Sequence, residues 1–586
     1  MGSDSRSIIH ILNKKIMKNI LNKILTVSAL CAALTSCSFF EVEPQVICSD
    51  TFYKTQQEVE YGLAGVYGAM SHEQFYGSTY SLMCSNIDDL CYYNRSASTA
   101  YLAWFNHGPG TGEIYDVWTR IYKGIGDANS YMDAMLNSDF EGTEKYYAEA
   151  RFLRAYYHFL LAQAWGDVPL RKSAVTSPSE VMIASTPQAE VLSWCVSEME
   201  ECLKSIDSDV ANSPSRVTKT TVYGILARVN LFMAGETVNI DNKEACLMAA
   251  RDYADSVIVS EKHQLNPDYS QVFKNMISND YDTEYHESMW EVEFYGDRSS
   301  GDNWSNGRIG DLLGLQSGNS ESSNYSEFKC NFAHGMYNGS LKLWDLYQTF
   351  DRTEDETGLT VVTDARQNWN LPPYSYKGHN SQPPYGSGLT TGSSKTGVDK
   401  TPYVYNQVST NQDPLAAPAI RMCGKFRREV ELEGQKTAKL LYNQINYPIL
   451  RYSDVLLMYA EASNELEGPS QKAYDCVAAV RTRAGVKTLP MDGYTKETFT
   501  ELIRNERGRE LCFESLRKYD LIRWGIFVKE MNNYTKWTQD ERWSKETTYS
   551  AIASTIGGNV TPKHIVFPIP SIELGVNDML KQNPLW

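Results

Sequence analysis

Apolar positions recur at helical spacing along much of the chain. After Thr55-Gln56-Gln57-Glu58, a capping-box pattern whose hydroxyl and carboxylate can satisfy the first free backbone N–H groups, Val59, Leu63, Val66 and Met70 fall at i, i+4, i+7 and i+11. That spacing predicts one apolar helix face. A second helix is predicted over Ile114–Met135, with Trp118, Ile121, Tyr122 and Ile125 inward. The clearest is "YYAEARFLRAYYHFLLAQAW", Tyr146–Trp165, where Phe152, Tyr156 and Leu160 make one row and Leu153, Tyr157 and Leu161 the next. Gly166-Asp167-Val168-Pro169 then stops it. Further helices are predicted over Pro187–Ile206, Lys219–Gly235, Lys243–Ser260, Tyr452–Leu466, Gln471–Ala484, Lys496–Phe513 and Leu516–Met531.

Several of these read as antiparallel pairs with alternating small and large residues, as in "AEARFLRAYY" and "GILARVNLFMAGE". Such pairs resemble tetratricopeptide units, although no clean repeat of about 34 residues is visible. Residues 295–438 differ: they are rich in Gly, Ser, Asn, Pro and Tyr, with strand-like pieces such as "MWEVEFY" only at the edges. Long polar loops of this kind are usually functional or mobile. The predicted fold class is mainly α: a tetratricopeptide-like helical-repeat scaffold packed against a loop-rich half with few short strands. Its helical parts run over about 50–294 and 439–535, within a single body over 37–586.

Composition narrows the picture. The 586 residues are 42% hydrophobic and 22% charged, enough to bury a large core. The formal charge of −17 repels nucleic acid and anionic lipid, so no nucleic-acid partner is expected. The twelve cysteines contain no C-x-x-C pair, which indicates neither a zinc site nor a dense disulfide scaffold. Apart from the segment before Cys37, no stretch approaches the about 18 apolar residues of a membrane-spanning helix.

That first segment has the three parts of an export signal: lysines, an apolar run over Ile24–Leu34, then small residues. Leu34-Thr35-Ser36-Cys37 resembles the lipobox of bacterial lipoproteins, which implies a signal peptide over 1–36 and lipidation of Cys37. "MKNILNKILTVSALCAALTSC" is already a complete signal, so the start is Met1 or Met17.

Catalytic motifs are absent: there is no H-E-x-x-H, G-x-S-x-G or dinucleotide fingerprint. "GLTTGSSKTG" lacks the order of a phosphate-binding loop and no helix follows it. The nine histidines are scattered, none paired at metal-ligand spacing. "LIRNERGRELCFESLRKYDLIRWG", Leu502–Gly525, carries paired carboxylates beside arginines, which in a cleft would suit glycoside hydrolysis. Its spacing reads instead as ion pairs, Glu506 with Arg509 and Asp520 with Arg523 at i, i+3, on a packed surface marked by Leu511, Phe513, Leu516, Leu521 and Trp524.

The remaining signal is aromatic. Tyr92, Tyr93, Trp104 and Phe105 fall in one loop-like stretch, Tyr295 and Trp304 in another, then Trp369, Tyr374, Tyr376 and Tyr385, beside Asn94, Asn106, Arg298, Asp302 and Asn303. An aromatic face covers the C–H face of a sugar ring while Asn, Asp and Arg bond its hydroxyl rim. A peptide or an interface would use a similar surface. The candidate ligand-binding residues are Tyr92, Tyr93, Trp104, Asn106, Tyr295 and Trp304.

The lipobox with "FFEVEPQ", the helix "AEARFLRAYYHFLLAQAWGDVPL", "YPILRYSDVLLMYAEASNELEG", "VRTRAGV", "ERGRELCFESLRKYDLIRWG" and the terminal "FPIPSIELGVNDMLKQNPLW" together resemble the SusD/RagB family of Bacteroidetes outer-membrane lipoproteins. The resemblance implies a non-enzymatic, cell-surface glycan-binding protein, lipid-anchored to the outer membrane, that loads oligosaccharides into a SusC-like TonB-dependent transporter. The RagB branch implies a peptide ligand instead. It also places the charged segment in the scaffold and the ligand face in variable loops, so binding residues do not carry over by motif. No cofactor is implied; some relatives bind calcium, for which the sequence shows no ligand spacing.

Overall fold

The computed structural model describes residues 52–96, 101–208, 213–294, 305, 307–316, 333–347, 352–354, 360–372, 374–376, 400–402, 421–431, 441–488, 490–537, 539–540 and 547–586. Chain contacts separate Met1–Glu58 from the main body, Val59–Trp586.

Helix α1, Gln56–Gly68, begins at the expected capping box. Glu58 N donates to Thr55 Oγ1 at 3.3 Å, and the Glu58 carboxylate accepts from the backbone of Thr55 at 2.9 Å and Lys54 at 2.8 Å. Helices α2 (Gly112–Leu136), α3 (Glu144–Trp165), α4 (Gln188–Cys202), α5 (Lys219–Met233) and α6 (Lys243–Ile258) follow. Each packs on the next in chain order. The α3 helix is buried on every side from Phe152 to Trp165, beyond the two apolar rows its sequence announces. Gly166, at φ 79°, ends it in a conformation that costs glycine little.

After α7, Tyr269–Ser278, the loop-rich portion intervenes. The helical array then resumes without a break in packing, because α8 (Tyr452–Glu467) lies against α6 and carries α9 (Gln471–Arg483) and α10 (Lys496–Leu511). This continuity across an insertion is what a tetratricopeptide-like array requires. The helix predicted over Leu516–Met531 is two: α11, Arg517–Arg523, and α12, Phe527–Asn532. Gly525 at φ 71° separates them, a left-handed turn that a continuous helix cannot contain. The Ser/Thr/Gly-rich α13, Thr547–Asn559, and the short α7 lie outside the helices that the sequence predicts.

Strands are few and short. Strand β1 (Cys91–Tyr93) pairs antiparallel with β3 (Tyr337–Gly339), Tyr92 opposite Asn338. Strand β2 (Ser288–Val292), which overlaps the predicted "MWEVEFY" piece, pairs with β4 (Tyr447–Arg451). At Gly224 of α5 an added Cβ would lie 2.5 Å from Leu450 Cδ2, so glycine permits α5 to seat directly on β4.

A buried ionic network joins these parts. Glu510 of α10 accepts from Arg451 of β4 (3.0 Å), Arg483 of α9 (2.6 Å) and Arg366 (3.3 Å). One turn earlier Glu506 accepts from Arg366 (2.6 Å), Arg481 (2.8 Å) and Arg509 (2.9 Å). Arg507 bonds Asp454 (2.7 Å) and Asp520 (2.8 Å), and Arg523 bonds Glu461 and Asp520. Charges this far from water are tolerable only when each is paired, so the network specifies how α8 to α11 meet the loop-rich portion.

Candidate functional site

The β1–β3 ladder positions a loop surface beside Asn94 and Tyr101. Beyond β1, Asn94 Nδ2 donates to Asn338 Oδ1 at 2.7 Å and to Gly335 O at 3.2 Å. Arg95 donates to His334 O at 2.9 Å and to Asn94 Oδ1 at 2.5 Å. Trp104 Nε1 donates to Arg95 O at 3.0 Å, which draws residues 101–106 back toward β1. Within that turn Asn106 N donates to Tyr101 O at 3.0 Å, and Phe105 takes φ 53°. Asn559 of α13 holds the turn from below, its Nδ2 donating to Trp104 O at 2.9 Å.

The outcome separates the candidate residues. Tyr92 is fully buried, Tyr93 is 4% exposed and Trp104 8%. These three rings present no face to solvent and correct the expectation that they form a platform. The stretch reads as a polar loop because Asn94 follows, but β1 is buried on both faces, and Tyr92 packs on Tyr534 while Tyr93 packs on Tyr337. Their part is to hold the surface up. Asn106 is exposed, as expected. Cys37, Tyr295 and Trp304 lie outside the described residues, as does Tyr385. Trp369 is buried against Arg427, whose guanidinium stands 3.6 Å from the ring centroid.

One aromatic outside the candidate set does face outward. Tyr101 is 49% exposed, on the same turn as Asn106, with Ser96 exposed and Arg95 half-buried at the other end of the loop. Its neighbours Ala100 and Leu102 are both apolar, so the local sequence does not mark Tyr101 as the outward ring of this turn. Across from Arg95, His334 Nδ1 lies 2.7 Å from Asp311 Oδ1, and Arg308 donates to Asp311 Oδ2 at 2.6 Å. Burial raises the Asp311 carboxyl, but His334 and Arg308 outweigh it and hold it below the usual range. A half-exposed ring with amide, hydroxyl and guanidinium groups can stack on a ligand ring and bond its rim.

The carboxylates of the charged segment are elsewhere. Glu506, Glu510, Glu514 and Asp520 are buried and each is bonded to arginine or lysine. Glu514 and Asp520 both border one small cavity of about 50 Å³ walled largely by Tyr76, Tyr80, Tyr156 and Phe159, where Arg451 and Lys425 hold Glu514 and Arg507 and Arg523 hold Asp520. Among the described residues no group of three His, Cys, Asp or Glu is placed to hold a metal ion, and no helix is long and apolar enough to cross a membrane.

A second cleft opens between α1 and the end of β2, lined by Glu60, Tyr67, Ser71, Arg216, Glu291 and Glu293. Glu291 is pushed up to about 7 by burial, although Ser288 and Asn446, whose Nδ2 stands 2.9 Å from Oε2, act against the shift.

A family model described as the SusD family matches residues 286–586, from the start of β2 through α13 to the C-terminus. The chain belongs to the SusD family. A second model, described as starch-binding associating with outer membrane, matches residues 38–231. The SusD-like protein P25 of Formosa agariphila is 23% identical over 566 residues, 93% of this chain and 94% of the relative. A solved SusD homolog from Bacteroides thetaiotaomicron superposes with a TM-score of 0.75 at 22% identity, covering 92% of this chain and 98% of its own. Surface glycan-binding protein A from the same species superposes at 0.64 and 18% identity, covering 91% and 100%. At these identities the structural likeness is one of fold, and it bears out the helical-repeat scaffold expected of a SusD-family chain.

Proposed function

We propose that this SusD-family protein captures a polysaccharide or its oligosaccharides at the cell surface and delivers them, without turnover, to a SusC-like TonB-dependent transporter. The observation that carries the reading is the loop surface of a SusD-family scaffold. There the half-exposed Tyr101 ring shares a turn with Asn106, and Arg95 and Ser96 stand at the loop's other end. A solved neighbour of the same fold is a surface glycan-binding protein, which supports a sugar over a peptide as ligand. The absence of hydrolysis is supported by the pairing of Glu506, Glu510, Glu514 and Asp520 inside the scaffold.

The remaining parts of the reading come from the sequence. Cys37 carries the lipid, and since one acyl chain binds a membrane only marginally, stable anchoring in the outer membrane takes several. Tyr295 and Trp304, on the segment that follows β2, add aromatic surface for the same ligand. Affinity electrophoresis of the protein against a panel of neutral and acidic glycans tests the proposal. Retardation by at least one glycan, weakened by Tyr101→Ala or Trp304→Ala, is expected. Binding of peptides with no glycan retained would overturn it in favour of a RagB-like role.

A further inference from the structure

The C-terminal segment, residues 559–586, is fastened to the loop that carries Tyr101 and Asn106. Asn559 bonds Trp104 O and Ser571 N donates to Pro109 O at 2.8 Å, while the segment is tied separately to the end of α3, where Trp165 Nε1 donates to Pro568 O at 3.0 Å and Phe567 N to Ala164 O at 2.8 Å. Trp586 Nε1 turns back to Val566 O at 3.0 Å. Where the segment and the loop meet, two histidines face each other: His107 and His564, 6% and 3% exposed, with ring centroids 5.2 Å apart.

Their surroundings are aromatic and cationic. His107 also packs on Trp586 at 5.3 Å and Phe567 at 5.4 Å, and His564 on Phe105 at 5.5 Å. Neither nitrogen of His107 has a hydrogen-bond partner. His564 Nδ1 accepts from Thr561 N at 2.9 Å, and the backbone of Thr561 and Phe105 acts against the depression of its pKa. The charged groups acting on His107 are His564, Lys518 and Lys563; on His564 they are Lys563 and Lys518. Lys518 Nζ stands 4.4 Å from the Phe567 ring, and Lys563 Nζ 4.2 Å from Trp586. No carboxylate acts on His107, so an imidazolium there would be desolvated, unbonded and beside like charge.

We propose that His107 and His564 form an acid-sensitive latch, closed while both rings are neutral, that fastens residues 559–586 onto the loop bearing Tyr101 and Asn106. The latch follows from the packing of the two segments and holds whatever ligand the loop takes. Burial first, then the neighbouring cations, depresses His107 to about 2 and His564 to about 4 from the ordinary 6.5. A depressed folded value means the closed state is fully favoured above the ordinary value and loses ground as pH falls from 6.5 toward about 4. An opened segment lets each ring take its proton. Near pH 5 that favours opening by about thirtyfold per histidine, about a thousandfold for the pair.

Hydrogen exchange read by mass spectrometry on the full chain, at about pH 7.5 and about pH 5 and corrected for intrinsic exchange rates, tests this. The opening constant of residues 101–110 and 559–586 is expected to rise by about a thousandfold on acidification, with α3 and α10 little changed. In His107→Phe, which keeps the aromatic packing without a titrating group, the rise is expected to fall to about thirtyfold. Unchanged protection of both segments in the wild-type chain, or a loss spread evenly over the body, would overturn the latch. So would a His107→Phe chain that opens as readily in acid as the wild type. The wild-type comparison decides even where the variant does not fold.

Discussion

Arg451 of β4 and Glu510 of α10 meet at 3.0 Å with their side chains 1% and 0% exposed. Arg451 also bonds Glu287 at 2.8 Å and Glu514 at 2.8 Å, so one guanidinium joins the β2–β4 pair to the helix of the "ERGREL" motif. Replacing Glu510 by Gln leaves Arg451, Arg483 and Arg366 short of a buried countercharge. Denaturant unfolding is expected to show a loss of about 3–5 kcal/mol, with glycan binding retained in the folded fraction. A change below about 1 kcal/mol would mean the network is not what joins these elements.

Trp104 and Tyr101, three residues apart on one turn, are expected to respond oppositely. Trp104→Ala empties a buried site and orphans Arg95 O, costing about 3–5 kcal/mol and lowering the melting temperature. Tyr101→Ala is expected to move stability by no more than about 0.5 kcal/mol, while losing roughly 0.5–1.5 kcal/mol of stacking, up to about tenfold in Kd. Thermal melts paired with calorimetry separate the two.

The scaffold was legible because its signal is local and repeated. Val59, Leu63 and Val66 are the buried positions of α1, and Glu506 with Arg509 and Asp520 with Arg523 are bonded at 2.9 Å and 2.8 Å as their spacing predicts. The long-range members of that network, Arg366, Arg451 and Glu287, were not legible, since only tertiary packing brings them to α10. The ligand surface was legible in kind but not in residue. A ring in a polar stretch is pulled inward or left outside by contacts from distant segments: Tyr534 for Tyr92, Tyr337 for Tyr93, and Asn559 below the Trp104 turn. Gly525, which breaks a predicted helix in two, gave no periodic warning, because its neighbours Trp524 and Phe527 both continue the apolar pattern.

Glu291 supplies a pH signature of its own. Burial raises its folded value from 4.5 to about 7, so its contribution is fully favourable below 4.5 and is lost as pH rises through about 7. Glu291→Gln removes the ionisation and keeps an acceptor for Asn446 Nδ2. At about pH 8 the variant is expected to be more stable than wild type by up to about 3 kcal/mol, with the gain nearly gone at about pH 4.5. Urea midpoints at the two pH values measure it, and an equal difference at both would contradict the assignment.

Binding without turnover is read from a single titration. The protein is titrated calorimetrically with the glycan that retards it, and the recovered glycan is sized by chromatography after prolonged incubation. Saturable binding, weakened by Tyr101→Ala, is expected, with the glycan's chain length unchanged. Shortened products released by the purified protein, or no glycan bound under conditions where a peptide is, would contradict it.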